Sequence, residues 1–437
     1  MTMRTKPRTL VLALAALCLH VSGASAAGQM SFEQAVRELG SPDAGTRLKT
    51  VQLLKDAAYP EAAVPLAKLV TDSQDEVQLE AMAAELNTFL AEKIITRKRV
   101  GLIIEVRNQL AAEGAFLSGP LAIGARPVPM EVLTALRAAW RDDNPRVRLE
   151  AVYTFGVLAV EPGGDRRREV LQASGPELAA MIGAIDPAQR YAALRVIARV
   201  FERRPGDPAV EQAVGDAVIS ALNEKDAPMR IVAMQALGAM RYERAVQGLM
   251  DLFQYFGRGE LAEVSLDAVA RIAHPSSVAQ LQSQLGSKDA ALRGIAIEGL
   301  ARVGDRAKLA DVQAAVRGER TDTLVLAGSF ASLMLSGAAG DPVALLAPLV
   351  SALGKPRLRD QARGYLADAA LGRAQAFSRY LADPDPAVRA ELVDALGLGG
   401  DGEAVQVLAP LAADRDPQVV RAVERALARL RQGRSAA

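Results

Sequence analysis

The chain has 437 residues, 50 % of them apolar and 24 % charged, with 52 basic against 51 acidic side chains and a net charge of +1. That balance excludes a disordered or collagen-like chain and gives no basic footprint for nucleic acid. Aromatics make up only 4 %, cysteine occurs once (Cys18) and histidine twice (His20, His274), so zinc sites, thiol nucleophiles and Cys/His pairs lack their ligands, and small-residue helix packing is favoured over a β-sandwich.

Residues 1–27 read as a secretory signal peptide. Arg4, Lys6 and Arg8 form the positive end, Leu10 to Leu19 the apolar core, and Ala24-Ser25-Ala26 a small-x-small cleavage site, with cleavage after Ala26 or Ala27. The apolar core is too short for a membrane span, which needs about 20 residues. Leu17 before Cys18 argues against a lipoprotein signal. The leader carries three of the 52 basic residues and no acidic one, leaving 49 against 51 and a net charge of −2. The mature chain is therefore expected to be exported, most simply to a bacterial periplasm, with no membrane span after cleavage. Without cysteine it must be held by its core alone.

Beyond the leader, an internal repeat dominates. Asp143-Asn-Pro-Arg-Val-Arg148 returns as Asp186-Pro-Ala-Gln-Arg190, Asp226-Ala-Pro-Met-Arg230, Asp289-Ala-Ala-Leu-Arg293, Asp385-Pro-Ala-Val-Arg389 and Asp416-Pro-Gln-Val-Val-Arg421, with degenerate copies near Asp43, Asp75, Glu263, Asp322 and Arg359. From Arg148 onward the step is about 30 to 42 residues, the period of helical-pair solenoids. Each unit has the same grammar: an Asp and Pro that cap and pre-set a helix, an apolar stripe such as Val147, Ala151, Val152, Phe155 and Leu158, then a glycine (Gly238, Gly304, Gly397) expected to stop it. A shorter helix follows, as in Ala245–Phe253 or Glu403–Leu411. One such hairpin cannot bury both stripes, so neighbours must stack.

The rhythm lapses between Leu90 and Met130, which divides the chain into repeats over 28–90, a helix-plus-loop insertion over 91–129 and the main array over 130–437. The first part of the insertion reads as a helix bearing Lys93, Arg97, Lys98 and Arg99 on a solvated face. The second, Gly114 to Pro129, reads as an apolar loop punctuated by Gly and Pro; loops of that length usually serve binding.

The pattern Asp-Pro-x-Val-Arg-x-x-Ala-x-x-Ala-Leu-Gly, nearly whole at Asp385–Gly397 and Asp226–Gly238, resembles HEAT repeats of the bacterial, phycobilin-lyase-like kind over about residues 31–90 and 130–437. The resemblance implies an all-α fold, an α-solenoid of about eleven stacked helical hairpins whose second helices line a concave surface that binds a protein or peptide partner. It also carries two enzymatic precedents. Phycobilin lyases act on cytoplasmic photosynthetic proteins, which an export signal contradicts. Deoxyhypusine hydroxylase holds two irons through His-Glu pairs, whereas the mature chain has one histidine. The expectation is a non-catalytic envelope scaffold with no cofactor and no metal; a lyase-type or carboxylate-only enzyme is the alternative, although no isolated Asp/Glu pair stands out.

Most candidate sites have a plainer reading. Asp186/Arg190, Asp226/Arg230, Asp289/Arg293 and Asp385/Arg389 recur in unit after unit, which marks a structural ladder and not an active site. Gly397-Leu-Gly399-Gly-Asp-Gly402 spells a dinucleotide motif but follows a helix, without the strand such a site requires. Asp383, Asp385 and Asp401 lack a calcium loop's spacing and closing Glu. His274 reads as a turn residue. The remaining candidate is a partner-recognition pocket of Phe116, Leu117, Trp140, Arg141 and Tyr153, since aromatics and arginine are the usual binding anchors.

Overall fold

A computed structural model describes residues 30–91, 110–160, 164–204, 207–337 and 340–432. The signal peptide and the basic segment with Lys93, Arg97, Lys98 and Arg99 lie outside the described residues. The fold is an all-α solenoid. Its inner row is made of α1 (Ala44–Ala57), α2 (Asp75–Phe89), α3 (Pro145–Leu158), α4 (Pro187–Val200), α5 (Ala227–Ala239), α6 (Glu260–Ile272), α7 (Ala290–Val303), α8 (Asp322–Leu335), α9 (Arg359–Ala370), α10 (Pro386–Gly399) and α11 (Pro417–Gln432). Each packs on the next along the chain, and each is preceded by an outer helix, such as Val246–Phe256 before α6 or Gly402–Leu408 before α11, so the shorter second helices form the outer row and not, as the resemblance implied, the lining of the inner face.

The starts of the inner helices follow from local chemistry. The carboxylates of Asp186, Asp289 and Asp385 accept the backbone N–H groups of Ala188, Ala291 and Ala387, Asp226 accepts that of Met229, and Asn144 takes the same role before α3. The stripe read from the sequence, Val147 to Leu158, is buried throughout. The ladder arginines act in two directions. Arg190, Arg293 and Arg389 each donate back to two carbonyls of the turn before their own helix. Each also meets a carboxylate at the end of the following outer helix: Arg190 with Glu224 (3.4 Å), Arg293 with Glu319 (3.0 Å) and Arg389 with Asp414 (2.8 Å). Arg230 instead lies 5.3 Å above the Phe256 ring.

Two of the three glycines expected to stop helices do something else. Gly304 is the left-handed residue that ends α7 (φ 77°), but Gly238 and Gly397 lie inside α5 and α10. There they let inner helices touch: a Cβ at Gly238 would meet Ala268 Cα at 3.0 Å, and one at Gly397 would meet Ala426 Cα at 2.8 Å. Gly397→Ala should therefore cost about 1–3 kcal/mol in urea unfolding. Gly248→Ala, in the outer helix Val246–Phe256 with nothing near its added methyl, should be neutral or stabilising. Equal effects of the two would refute close approach as the reason for Gly397.

Residues 114–129 also differ from expectation. Ala111–Leu117 is helical, a short 3-10 turn follows at Pro120–Ala122, and Ile123 pairs with Leu90 in an isolated bridge. The helix forms because its first turn is held from outside itself: the buried Glu150 carboxylate on α3 accepts the Ala112 N–H at 2.9 Å. This segment lies against α2, α3 and α4 and so occupies part of the inner face.

Candidate functional site

The five residues of the expected recognition pocket do not form one. Phe116 and Tyr153 meet edge to face at 5.5 Å, but both are buried. Trp140 packs against Phe155 at 4.9 Å and is 2 % exposed. Phe116 enters a hole left by Gly156, where an added Cβ would stand 2.9 Å from its ring. These aromatics thus serve as local core. Leu117 and Arg141 remain largely exposed. His274 caps the turn Pro275–Ser277, where its ring accepts from the Ser276 N–H. Asp401 caps the helix Gly402–Leu408, and Gly397 and Gly399 lie within α10, so the glycine string is a helix end.

The sequence reading missed a cavity of about 600 Å³ where the C-terminal ends of the inner helices converge. Arginines line it from repeats far apart in the chain: Arg199 on α4, Arg203 and Arg204 just after it, Arg241 after α5, Arg271 on α6, Arg302 on α7 and Arg429 on α11. The cavity exists because the array curves until its last helix meets the insertion, Arg429 donating to the Pro120 carbonyl at 2.5 Å. Arg302, likewise, bypasses α8 to reach Asp368 on α9 at 2.9 Å.

Its charges fall into two groups. Arg271 is paired with Asp267 (2.8 Å), and Arg302 with Asp368 and Glu298. Of the others, Arg199, Arg203, Arg241 and Arg429 use backbone carbonyls. Arg199 donates to Phe116 and Gly119 (2.6 and 2.5 Å), Arg203 to Met240, Arg241 and Asp207, and Arg241 to Arg203. Burial, with the neighbouring arginines adding to it, pushes Arg199 and Arg429 down to about 10, and burial lowers Arg204 and Arg241 too. Arg199 and Arg429 remain cationic at neutral pH. Among the described residues, Arg199 Nε, Arg203 Nε and Arg429 Nη1 are buried without a hydrogen-bond partner.

Among the described residues, no group of three or more His, Cys, Asp or Glu could hold a metal ion, and no helix is long and apolar enough to cross a membrane.

Residues 374–437 match the family model for HEAT repeats. This HEAT-repeat match covers the last two hairpins, including the Asp385–Arg389 motif. No curated protein matches the chain. Among solved structures, the chain is similar to an engineered protein at 19 % identity, over 91 % of this chain and 98 % of that one, with a TM-score of 0.41. It is also similar to the karyopherin Kap121p bound to the extreme C-terminus of the protein phosphatase Cdc14p, at 14 % identity over 90 % of this chain, with a TM-score of 0.36. The chain spans 45 % of that karyopherin.

Proposed function

We propose that this protein is a non-catalytic scaffold of the cell envelope that docks a protein partner along one edge of its solenoid. The observation that carries the reading is a row of exposed anchor residues on the edge where inner helices begin. Arg141, its side chain 80 % exposed, precedes α3; Ile185, 98 % exposed, precedes α4; Tyr255, 82 % exposed, precedes α6. With about 10 Å between packed helices, the row spans on the order of 30 Å, enough for a standard protein interface. An exposed arginine, an aliphatic and an aromatic side chain are of the kinds that anchor a docking surface. The leader sequence supports export, most simply to a periplasm.

Ile185→Ser and Tyr255→Ser should each weaken a partner captured by cross-linking in envelope extracts, by about tenfold for the purified pair, with the helical content unchanged. Equal capture by the double variant would refute the edge as the docking surface. Retention of the full-length, uncleaved chain in the cytoplasm would refute the envelope role.

A further inference from the structure

We propose that the arginine-lined cavity binds a small polyanion, a molecule of nucleotide size or less bearing two or more phosphate or carboxylate groups. This rests on the cavity alone and is independent of the partner-docking reading.

Arginine near a helix C-terminus has an ordinary explanation, since it satisfies the last carbonyls and the negative end of the helix dipole. That explanation fails here for two of the buried cations that have no ion pair among the described residues. Arg199 does not bond its own helix end but crosses to Phe116 and Gly119, and Arg429 crosses 309 positions of chain to Pro120. Both use part of their donor set on carbonyls and, among the described residues, each has a further buried N–H group without a partner, while both side chains belong to the cavity lining. Arg203, Arg204 and Arg241 stand beside them without an ion pair among the described residues. Four acidic residues also line the space, Glu202, Asp207, Asp368 and Asp401. Two of these are committed elsewhere: Asp368 holds Arg302, and Asp401 caps a helix and accepts the Gly372 N–H.

Gathering several dehydrated like charges is unfavourable unless an opposite charge offsets it. An oxyanion placed among these guanidinium forks would do so through charge-assisted, bidentate hydrogen bonds, the geometry for which arginine is suited over lysine. The volume falls within the range of small-molecule sites, and apolar wall from Pro120, Leu398 and Leu430 offers contact to an organic body. Four of these arginines share a local pattern: Ala-Arg followed by Val, Ile or Leu recurs at 198–200, 270–272, 301–303 and 428–430, near the ends of four inner helices.

The test is isothermal titration of the whole mature protein with pyrophosphate and, separately, with citrate, at constant ionic strength. Saturable binding of at least one probe at or below about 1 mM is expected, accompanied by a rise in Tm. Binding of pyrophosphate alone, citrate alone or both identifies the favoured oxyanion, and each supports the site. Arg204→Gln removes a cavity charge whose side chain makes no hydrogen bond among the described residues, and should weaken binding at least about tenfold. Arg429→Lys keeps the charge but loses the fork and should weaken it too; it serves if Arg204→Gln fails to fold. Arg168→Gln, the same charge change on an exposed residue outside the cavity, should leave affinity unchanged. Absence of saturable binding by both probes, or equal affinity in the wild type and the folded cavity variant, overturns the proposal.

Discussion

Replacing Arg302 by alanine should lower the unfolding free energy by about 2–4 kcal/mol, the cost of breaking a largely buried charge network after allowance for its partial exposure. Arg302 holds Glu298 one turn away on α7 and Asp368 on α9, two hairpins further along the chain, and its side chain is 12 % exposed. Burial alone would weaken its hold on the proton, but the charges of Asp368 and Glu298 outweigh it and raise the pKa. The same Glu298 accepts the Tyr365 hydroxyl, and Tyr365 stacks on Phe330 at 4.4 Å beneath the guanidinium. Removing the cation therefore leaves two neighbouring carboxylates without their shared counter-charge and uncovers an aromatic pair. Arg302→Lys should fall between wild type and alanine, because one ammonium cannot reproduce both contacts of the fork. Arg302→Ala with Asp368→Ala should cost less than the sum of the two single changes. Strict additivity in urea unfolding would mean that the pair does not link α7 to α9.

The inner helices were legible because their starts are decided within one turn of chain. Asp186, Asp289 and Asp385 reach the second helical N–H of their own helices, and the Pro that follows Asp186 and Asp385 is already set for the first turn. Gly238 and Gly397 were misread because a helix stop and a close helix crossing select the same residue. Only the position of Ala268 or Ala426 in the next hairpin distinguishes them. Trp140 and Tyr153 were misplaced for a related reason: an aromatic beside an irregular segment reads as an anchor until Phe116 is seen filling the space at Gly156. The cavity was furthest from view. Its arginines lie in different hairpins and meet only through the accumulated rotation from one repeat to the next, a quantity no single repeat encodes.

Substituting leucine for Glu85 should stabilise the protein by about 2–4 kcal/mol at pH 7.5, by removing an unpaired carboxyl from the core. Glu85 lies on α2 between Met82 and Phe89 with no solvent exposure, and among the described residues neither carboxyl oxygen has a hydrogen-bond partner. Burial pushes its pKa well above 4.5. The sign of the pH effect follows. Below the unfolded value of about 4.5 the group is protonated in both states and imposes no titration cost. As pH rises from there, the unfolded chain releases the proton while the folded chain retains it, so stability falls until the folded pKa is passed, by up to about 1.36 kcal/mol per unit. Glu150 and Asp394, also raised by burial, contribute in the same direction, whereas the lowered Glu319 and Asp414 oppose them. Their effects are common to wild type and variant and cancel in the difference. The gain from Glu85→Leu should therefore be smallest near pH 4.5 and grow toward pH 7.5. Glu85→Gln, which keeps the shape and a polar group but cannot ionise, should show the same pH-dependent gain on a lower baseline. Urea unfolding at a series of pH values measures both, and a gain that stays flat across that interval would show that Glu85 titrates alike in the folded and unfolded chains.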